Sequence, residues 1–191
     1  AEQGNALAMC DLGLLYETGK GTAKNYAEAV RWYQKSADLG NKNAQCNLGY
    51  MYEVGHGVAQ SYTEAAKWYR KAADQGHARA QNNLGLLYDN GNGVPQDYDE
   101  AAKWYRKAAE QGYLWGMHNL AYMHEYGRGV PQSYDEAAKW YRKAADQGHA
   151  GAQCNLGLLY EKGNGVPQSY TEARRLYLLS ANQGNKHAAF N

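Results

Sequence analysis

The stretch HARAQNNLGLLYDNGNGVPQDYDEAAKWYRKAAEQG, residues 77–112, decides the fold, because it carries two helical patterns separated by a glycine and proline break. Ala80, Leu84, Leu87 and Gly91 fall at i, i+4, i+7 and i+11, one face of a 3.6-residue helix, and Tyr88 broadens that face. Gly91 predicts a left-handed cap at the end of this first helix, helix A, and Pro95 pushes Val94 into an extended conformation. Asp97 with Glu100 three residues on predicts the start of helix B through a capping box, in which side chains and backbone donors satisfy one another reciprocally. Ala101, Trp104, Tyr105 and Ala108 then form the buried stripe of helix B, with Lys103, Arg106 and Lys107 outside, until Gly112 ends it.

Outward from this stretch the pattern repeats. Glycines at 4, 40, 76, 112, 148 and 184 are each 36 residues apart, which defines five units, 5–40, 41–76, 77–112, 113–148 and 149–184. The helix B start recurs as Asn25/Glu28, Ser61/Glu64, Ser133/Glu136 and Ser169/Glu172. Residues 1–4 match the end of a unit and 185–191 the opening of one, so the chain reads as a segment of a longer array. A fixed period of this size marks a solenoid, whose units cannot bury their apolar faces alone and therefore stack. The expectation is one all-α, right-handed α-solenoid over 1–191, made of antiparallel helix pairs with helix A on the concave side.

Composition narrows the function classes. Twenty basic residues face nineteen acidic ones, without the basic stripe that phosphate neutralisation requires, so no nucleic acid partner is expected. No apolar run approaches the roughly 20 residues that span a bilayer, so no membrane insertion is expected either. Cys10, Cys46 and Cys154 each occupy the sixth position of a unit. Stacked units stand further apart than the ~7 Å between Cα atoms that a disulfide tolerates, so free thiols are expected, which favours a reducing compartment. His118 and His124 are six apart on a helix and His77 and His149 two units apart, which gives no metal-ligating pair. The GNGV glycines read as turn residues. No nucleophile, metal site or cofactor motif emerges, and the chain is expected to be neither an enzyme nor a cofactor carrier.

The tryptophans of helix B, Trp32, Trp68, Trp104 and Trp140, recur in one column and read as core. Function is sought where the columns vary, on the helix A face at positions 3, 7, 10 and 14 of each unit. Position 7 holds Asp11, Asn47, Asn83, Asn119 and Asn155; such a ladder either pairs with the backbone of an extended peptide or hydrogen-bonds inside the solenoid. Position 10 holds Leu14, Tyr50, Leu86, Tyr122 and Leu158, and position 3 holds Leu7, Asn43, Arg79, Trp115 and Gly151. Position 14 runs Thr18, Val54, Asn90, Tyr126 and Lys162. The fourth unit thus presents Trp115, Asn119, Tyr122 and Tyr126 on one face, and large aromatics with a polar handle dominate binding energy at interfaces. The competing reading folds Trp115 against its neighbour as packing, alongside Ala121, which adds volume, and His124, which removes it. In the last helix B, Leu176 takes the tryptophan position, and Leu178 and Leu179 stand where Arg142 and Lys143 stand one unit before, which calls for a capping or self-association contact.

The string Ala80-x3-Leu84-Gly85-x2-Tyr88-x2-Gly91-x-Gly93-Val94, continuing to Ala101-x2-Trp104-Tyr105-x2-Ala108-Ala109-x2-Gly112, resembles the Sel1-like repeats, relatives of the tetratricopeptide repeats, and recurs over the whole chain. The resemblance implies a scaffold or adaptor that holds proteins together. Joined to the reading of the residues, it gives a peptide or protein ligand in the helix A groove, on Asn47, Tyr50, Arg79, Asn83, Leu86, Trp115, Asn119, Tyr122, Tyr126, Asn155 and Leu158. The alternative is a spacer or self-associating array with no groove ligand. A third class, acting on β-lactams or cell-wall substrates, follows from family analogy with a cysteine-rich branch whose paired cysteines this chain lacks.

Overall fold

The computed structural model describes residues 2–184; Ala1 and the expected flanking stretch 185–191 lie outside the described residues. Among the described residues every regular element is helical. In order they are α1 (Glu2–Thr18), α2 (Tyr26–Asp38), α3 (Lys42–Val54), α4 (Tyr62–Asp74), α5 (Ala78–Asn90), α6 (Tyr98–Glu110), α7 (Leu114–Tyr126), α8 (Tyr134–Asp146), α9 (Ala150–Lys162) and α10 (Tyr170–Ala181). They fall into two compact units, Ala1–Asp97 with α1 to α5 and Tyr98–Asn191 with α6 to α10. In the first, α1 pairs with α2 and α3 with α4, while α2 stacks on α3 and α4 on α5; in the second, α7 pairs with α8 and α9 with α10, while α6 stacks on α7 and α8 on α9. The pairs are antiparallel: Ser36 of α2 reaches the carbonyl of Ala6 near the start of α1, whereas Tyr33 reaches Glu17 near its end. This is the all-α architecture of stacked helix pairs that the 36-residue period predicts.

Helix ends follow the expected chemistry with one correction. The A helices stop at Gly55, Gly91, Gly127 and Gly163, all left-handed, with φ of 74°, 70°, 65° and 71°. At the B helices the side chains of Asn25, Ser61, Ser133 and Ser169 accept from the backbone N–H of Glu28, Glu64, Glu136 and Glu172. The reciprocal half of the capping box is not made. The N–H of each of these four caps instead donates to a carbonyl at the end of the preceding helix A, on Tyr16, Tyr52, His124 or Tyr160, at 2.8 to 2.9 Å. That carbonyl has no partner within its own helix, and the tight loop brings it to the cap first. The glutamates are left to pair one turn on, as Glu64 does with Lys67 at 2.6 Å and Glu136 with Lys139 at 3.1 Å.

A tyrosine of helix B fills each repeat core: Tyr33, Tyr69 and Tyr141 are 0% exposed. A small residue of helix A admits the ring, since a Cβ on Gly49 would lie 2.7 Å from the Tyr69 ring and one on Gly157 2.7 Å from that of Tyr177. Each hydroxyl donates to a glutamate further along helix A, Tyr33 to Glu17 and Tyr69 to Glu53 at 2.5 Å, Tyr141 to Glu125 at 2.8 Å and Tyr177 to Glu161 at 2.6 Å. Burial, the carboxylate charge and this bond together push the Tyr69 and Tyr141 hydroxyls far above their usual pKa.

Between repeats, buried glutamines provide the glue. Gln45, Gln81 and Gln153 donate to the carbonyls of Ala37, Ala73 and Ala145, which lie near the C-terminus of the preceding helix B, at 3.1 to 3.2 Å. Cys10, Cys46 and Cys154 are buried free thiols, as expected, and burial pushes the Cys10 thiol up to about 11.

Candidate binding face of the A helices

In the first unit Arg79 joins one other expected site residue, Asn47. Its Nη2 donates to Asn47 and its Nε lies 3.2 Å from Cys46 Sγ, so Arg79 of α5 lies back across α3 rather than standing alone in a groove. Asn83 accepts from Asn82 at 3.3 Å and hydrogen-bonds the Tyr69 hydroxyl, partly opposing that tyrosine's upward shift. Tyr50 meets His56 edge to face, with centroids at 6.4 Å, while His56 stacks on Tyr26 at 4.3 Å. Leu86 is half-buried.

In the second unit, Asn155 does what Asn83 does: it hydrogen-bonds the Tyr141 hydroxyl, and its Nδ2 lies 3.3 Å from His118 Nε2. Asn119 Oδ1 takes the other side of the His118 ring, 3.3 Å from Nδ1. The asparagine ladder therefore works inside the solenoid at these steps. Tyr122 stacks obliquely on Tyr126 at 4.5 Å, and Arg128 lies over the Tyr122 ring at 5.3 Å and over Tyr98 at 5.4 Å. Tyr50 and Tyr122 thus serve first as walls for a loop residue, His56 or Arg128, which the sequence columns taken singly do not reveal. Leu158 is half-buried against Cys154 and Tyr177.

Two aromatics of the fourth repeat remain outward. Trp115 is 56% exposed and Tyr126 55% exposed, on the same face of α7. Trp115 stands edge-on to His149 with centroids at 4.5 Å and an interplanar angle of 90°. His149 in turn lies 4.8 Å from His118, a meeting of two histidines that spacing within single helices did not predict. Gly151 leaves room for it, since a Cβ there would lie 3.2 Å from His149 Cε1 and 3.4 Å from His118 Nε2. Burial lowers the pKa of both imidazoles, that of His149 to about 4 with help from His118. Two imidazoles do not make a metal centre, and among the described residues no three His, Cys, Asp or Glu side chains cluster for one.

The other oddities of the fourth repeat are repaid within the core. His124, 7% exposed, replaces a tyrosine, and Arg106 Nη2 approaches its Nε2 at 3.4 Å as Arg142 approaches the Tyr160 hydroxyl at 2.6 Å. Met117 takes the glutamine column, and Gln147 turns to its sulfur at 3.9 Å where Gln75 finds Gln45 at 2.7 Å. Ala121 takes the glycine column beneath Tyr141, whose bond to Glu125 is longer than its counterparts.

At the far end one expectation is corrected. Leu176 is 3% exposed and sits in the chain's own core where the tryptophan stands in earlier repeats, so it offers no contact surface. Leu178 and Leu179 are 53% and 41% exposed. Among the described residues no helix is long and apolar enough to cross a membrane.

The Sel1 repeat model matches residues 6–41, 42–77, 78–113, 116–149 and 150–185. Among solved structures, the chain is similar to a protective antigen present in uropathogenic Escherichia coli strains that displays an SLR fold, with 46% identity and a TM-score of 0.92 over 100% of this chain and 41% of that one. It is also similar to a Sel1 repeat protein from Oxalobacter formigenes, with 39% identity and a TM-score of 0.92 over 97% and 74% of the two chains. Cysteine rich protein B of Helicobacter pylori matches at 26% identity and a TM-score of 0.54, over 68% of this chain and 92% of that one. This chain therefore spans about two fifths of the E. coli antigen. No curated protein matches by sequence. Sel1 repeats are generally protein-interaction scaffolds and mostly non-enzymatic. With five matched repeats across nearly all of its length, the chain belongs to the Sel1 repeat family.

Proposed function

We propose that this chain is a non-enzymatic protein-interaction module whose binding face, in the unit Tyr98–Asn191, is the outward side of α7 and the adjoining start of α9. The observation that carries the reading is the exposure of Trp115 and Tyr126 on one face of α7. Aromatic side chains of this size supply large contact area at low entropic cost, and they are the commonest anchors of interfaces. Asn119, Asn155 and Tyr122 support that face from below, through His118 and Arg128. Around α3 and α5, Asn47 and Arg79 hydrogen-bond each other and Asn83 bonds the Tyr69 hydroxyl, so these polar side chains are engaged within the solenoid.

The test pans a randomised twelve-residue peptide library against the whole chain and measures enriched peptides against Trp115→Ala/Tyr126→Ala. Loss of binding by a double variant that melts like the wild type supports the reading. Equal binding by the two proteins refutes it.

A second reading rests on Tyr170, Leu178 and Leu179, exposed by 68%, 53% and 41% on α10. In earlier repeats the residue equivalent to Leu178 is Arg70 or Arg142, lying on Tyr88 or Tyr160 of the next helix A. The α10 face thus has the form of a stacking surface for another helix, as a self-associating array requires. Light scattering across a concentration series, with Leu178→Arg/Leu179→Lys as the comparison, decides it: mass that does not grow with concentration removes this reading.

A further inference from the structure

We propose that His149 supplies the hydrogen-bond donor of the α7 and α9 face, and that its ligand is an extended peptide whose main-chain carbonyl takes the Nε2 proton while an apolar side chain lies on Trp115. The proposal rests on the preceding reading of that face as peptide-binding. It begins with the cap of α9, where His149 Nδ1 accepts the backbone N–H of Ala152 at 3.0 Å. An acceptor at Nδ1 fixes the tautomer: the ring is neutral and its single proton is on Nε2. Among the described residues that nitrogen, buried in a residue only 8% exposed, has no partner. Buried donors are mostly satisfied; among the described residues His124 Nδ1 and Trp140 Nε1 are also without a partner, and what sets His149 Nε2 apart is its ring contact with an exposed tryptophan, where a ligand atom can complete the set.

The neighbours explain why nothing among the described residues completes it. His118, 4.8 Å away, already has Asn119 at Nδ1 and Asn155 at Nε2. Gly151 puts no side chain over the ring, whereas Arg79, at the same place two repeats earlier, reaches back over Cys46 and Asn47. Trp115 closes the remaining side, and its described ring contact is the one with His149. More than half exposed, it can turn outward to admit an acceptor and lie back over the side chain that follows.

The charge state selects the ligand class. A second proton on His149 would set an N–H against the N–H of Ala152 and uncap the helix, and it would sit beside His118. The ring therefore stays neutral, and burial holds it so down to about pH 4. A neutral donor gains no ion pair from a carboxylate, and a carboxylate entering this corner would lose its hydration. A peptide carbonyl has the matching polarity, and extended chains present one beside each side chain.

Capping alone does not require an imidazole. Asn41 caps α3 from the same repeat position through its side-chain oxygen, which accepts from Asn43 and Ala44 at 3.0 Å. His149→Asn therefore keeps the cap and removes the Nε2 proton. His77 caps α5 in the same way and serves as the control.

The experiment measures the library-selected peptides on the whole chain. His149→Asn is expected to weaken binding by roughly five- to a hundredfold at unchanged melting temperature, the range for an unmade hydrogen bond to a buried group, while His77→Asn leaves it unchanged. Thioamide replacement, one peptide carbonyl at a time, should find one position whose effect disappears in His149→Asn. If Trp115→Ala/Tyr126→Ala abolishes binding but His149→Asn binds within twofold of wild type, the donor is wrong and the face stands. Coupling of His149 to an acidic side chain of the peptide instead of a carbonyl overturns the ligand class. Peptides indifferent to Trp115 and Tyr126 overturn both readings.

Discussion

Replacing Tyr69 by Phe isolates a contact that recurs in four of the repeat cores. The ring is 0% exposed, and its hydroxyl donates to Glu53 at 2.5 Å while Asn83 bonds to the same oxygen. A hydrogen bond to a charged acceptor contributes about 1.5–3 kcal/mol. Glu53 is half-buried, and water can reach its carboxylate once the hydroxyl is gone, so the lower part of that range applies to it. Asn83 loses an acceptor as well, which brings the expected loss to about 2 kcal/mol. Repeat arrays store stability locally, and for a chain of this size ~2 kcal/mol corresponds to roughly 4–8 °C in Tm. The assay is thermal and urea unfolding by circular dichroism, with amide exchange to show that the weakened protection centres on α3, α4 and α5. Tyr62→Phe is the control, because that residue is 36% exposed and its hydroxyl accepts a long bond from Gln60, at 3.4 Å. Glu53→Gln, which keeps an acceptor and removes the charge, should fall between the two. If Tyr69→Phe melts within a degree of Tyr62→Phe, the tyrosine–glutamate column is incidental to the fold.

Acid should loosen the second unit through His149. The unfolded imidazole binds its proton near 6.5 and the folded one only at about 4, so the unfolded state holds more protons between these values. Stability is complete above pH 6.5 and falls as pH drops through this window, by about 3 kcal/mol for His149 at one pKa unit per 1.36 kcal/mol. A stability profile of His149→Asn that is as steep as wild type from pH 6.5 to 4 would refute this. Gly129→Ala should cost about 2–4 kcal/mol, since φ is +62° and a Cβ would lie 2.0 Å from the Tyr98 carbonyl oxygen. Gly112→Ala, also left-handed but in open space, should cost about 1 kcal/mol, and equal losses in urea titrations would sink the steric argument. Trp115→Ala should change unfolding free energy by less than about 1 kcal/mol, because the side chain is 56% exposed; a larger loss would make Trp115 a packing residue.

What was legible in the sequence is what is encoded at short range. The 36-residue period, the left-handed glycines and the caps at Asn25, Ser61, Ser133 and Ser169 all depend on residues within a turn or two of one another. The Glu53–Tyr69 bond spans 16 residues and a loop, so no helix-face rule joins its ends, although the acidic column Glu17, Glu53, Asp89, Glu125 and Glu161 lies in plain view. The half of the capping box that fails does so for the same reason: a carbonyl of the preceding helix competes for the N–H, and only the folded loop brings it there. The spacing of His118 to His124 and of His77 to His149 says nothing of the pair that does meet, His118 and His149 of adjacent repeats.

The fourth repeat separates packing from exposure. His124 is matched by Arg106, Met117 by Gln147, Ala121 by the yielding Tyr141 ring, and His118 by the missing side chain of Gly151. Each departure from a column has a second departure, or a moved partner, that restores volume or hydrogen bonding, which is how a close-packed interior absorbs change. Trp115 is different. It adds the largest side chain available at a position held elsewhere by Leu7, Asn43, Arg79 and Gly151, and it returns little burial for that size. Its ring contact among the described residues is with His149, whose Nε2 has no partner there. Packing accounts for the first four substitutions and not for the fifth, and that difference directs the search for function to this corner of the molecule.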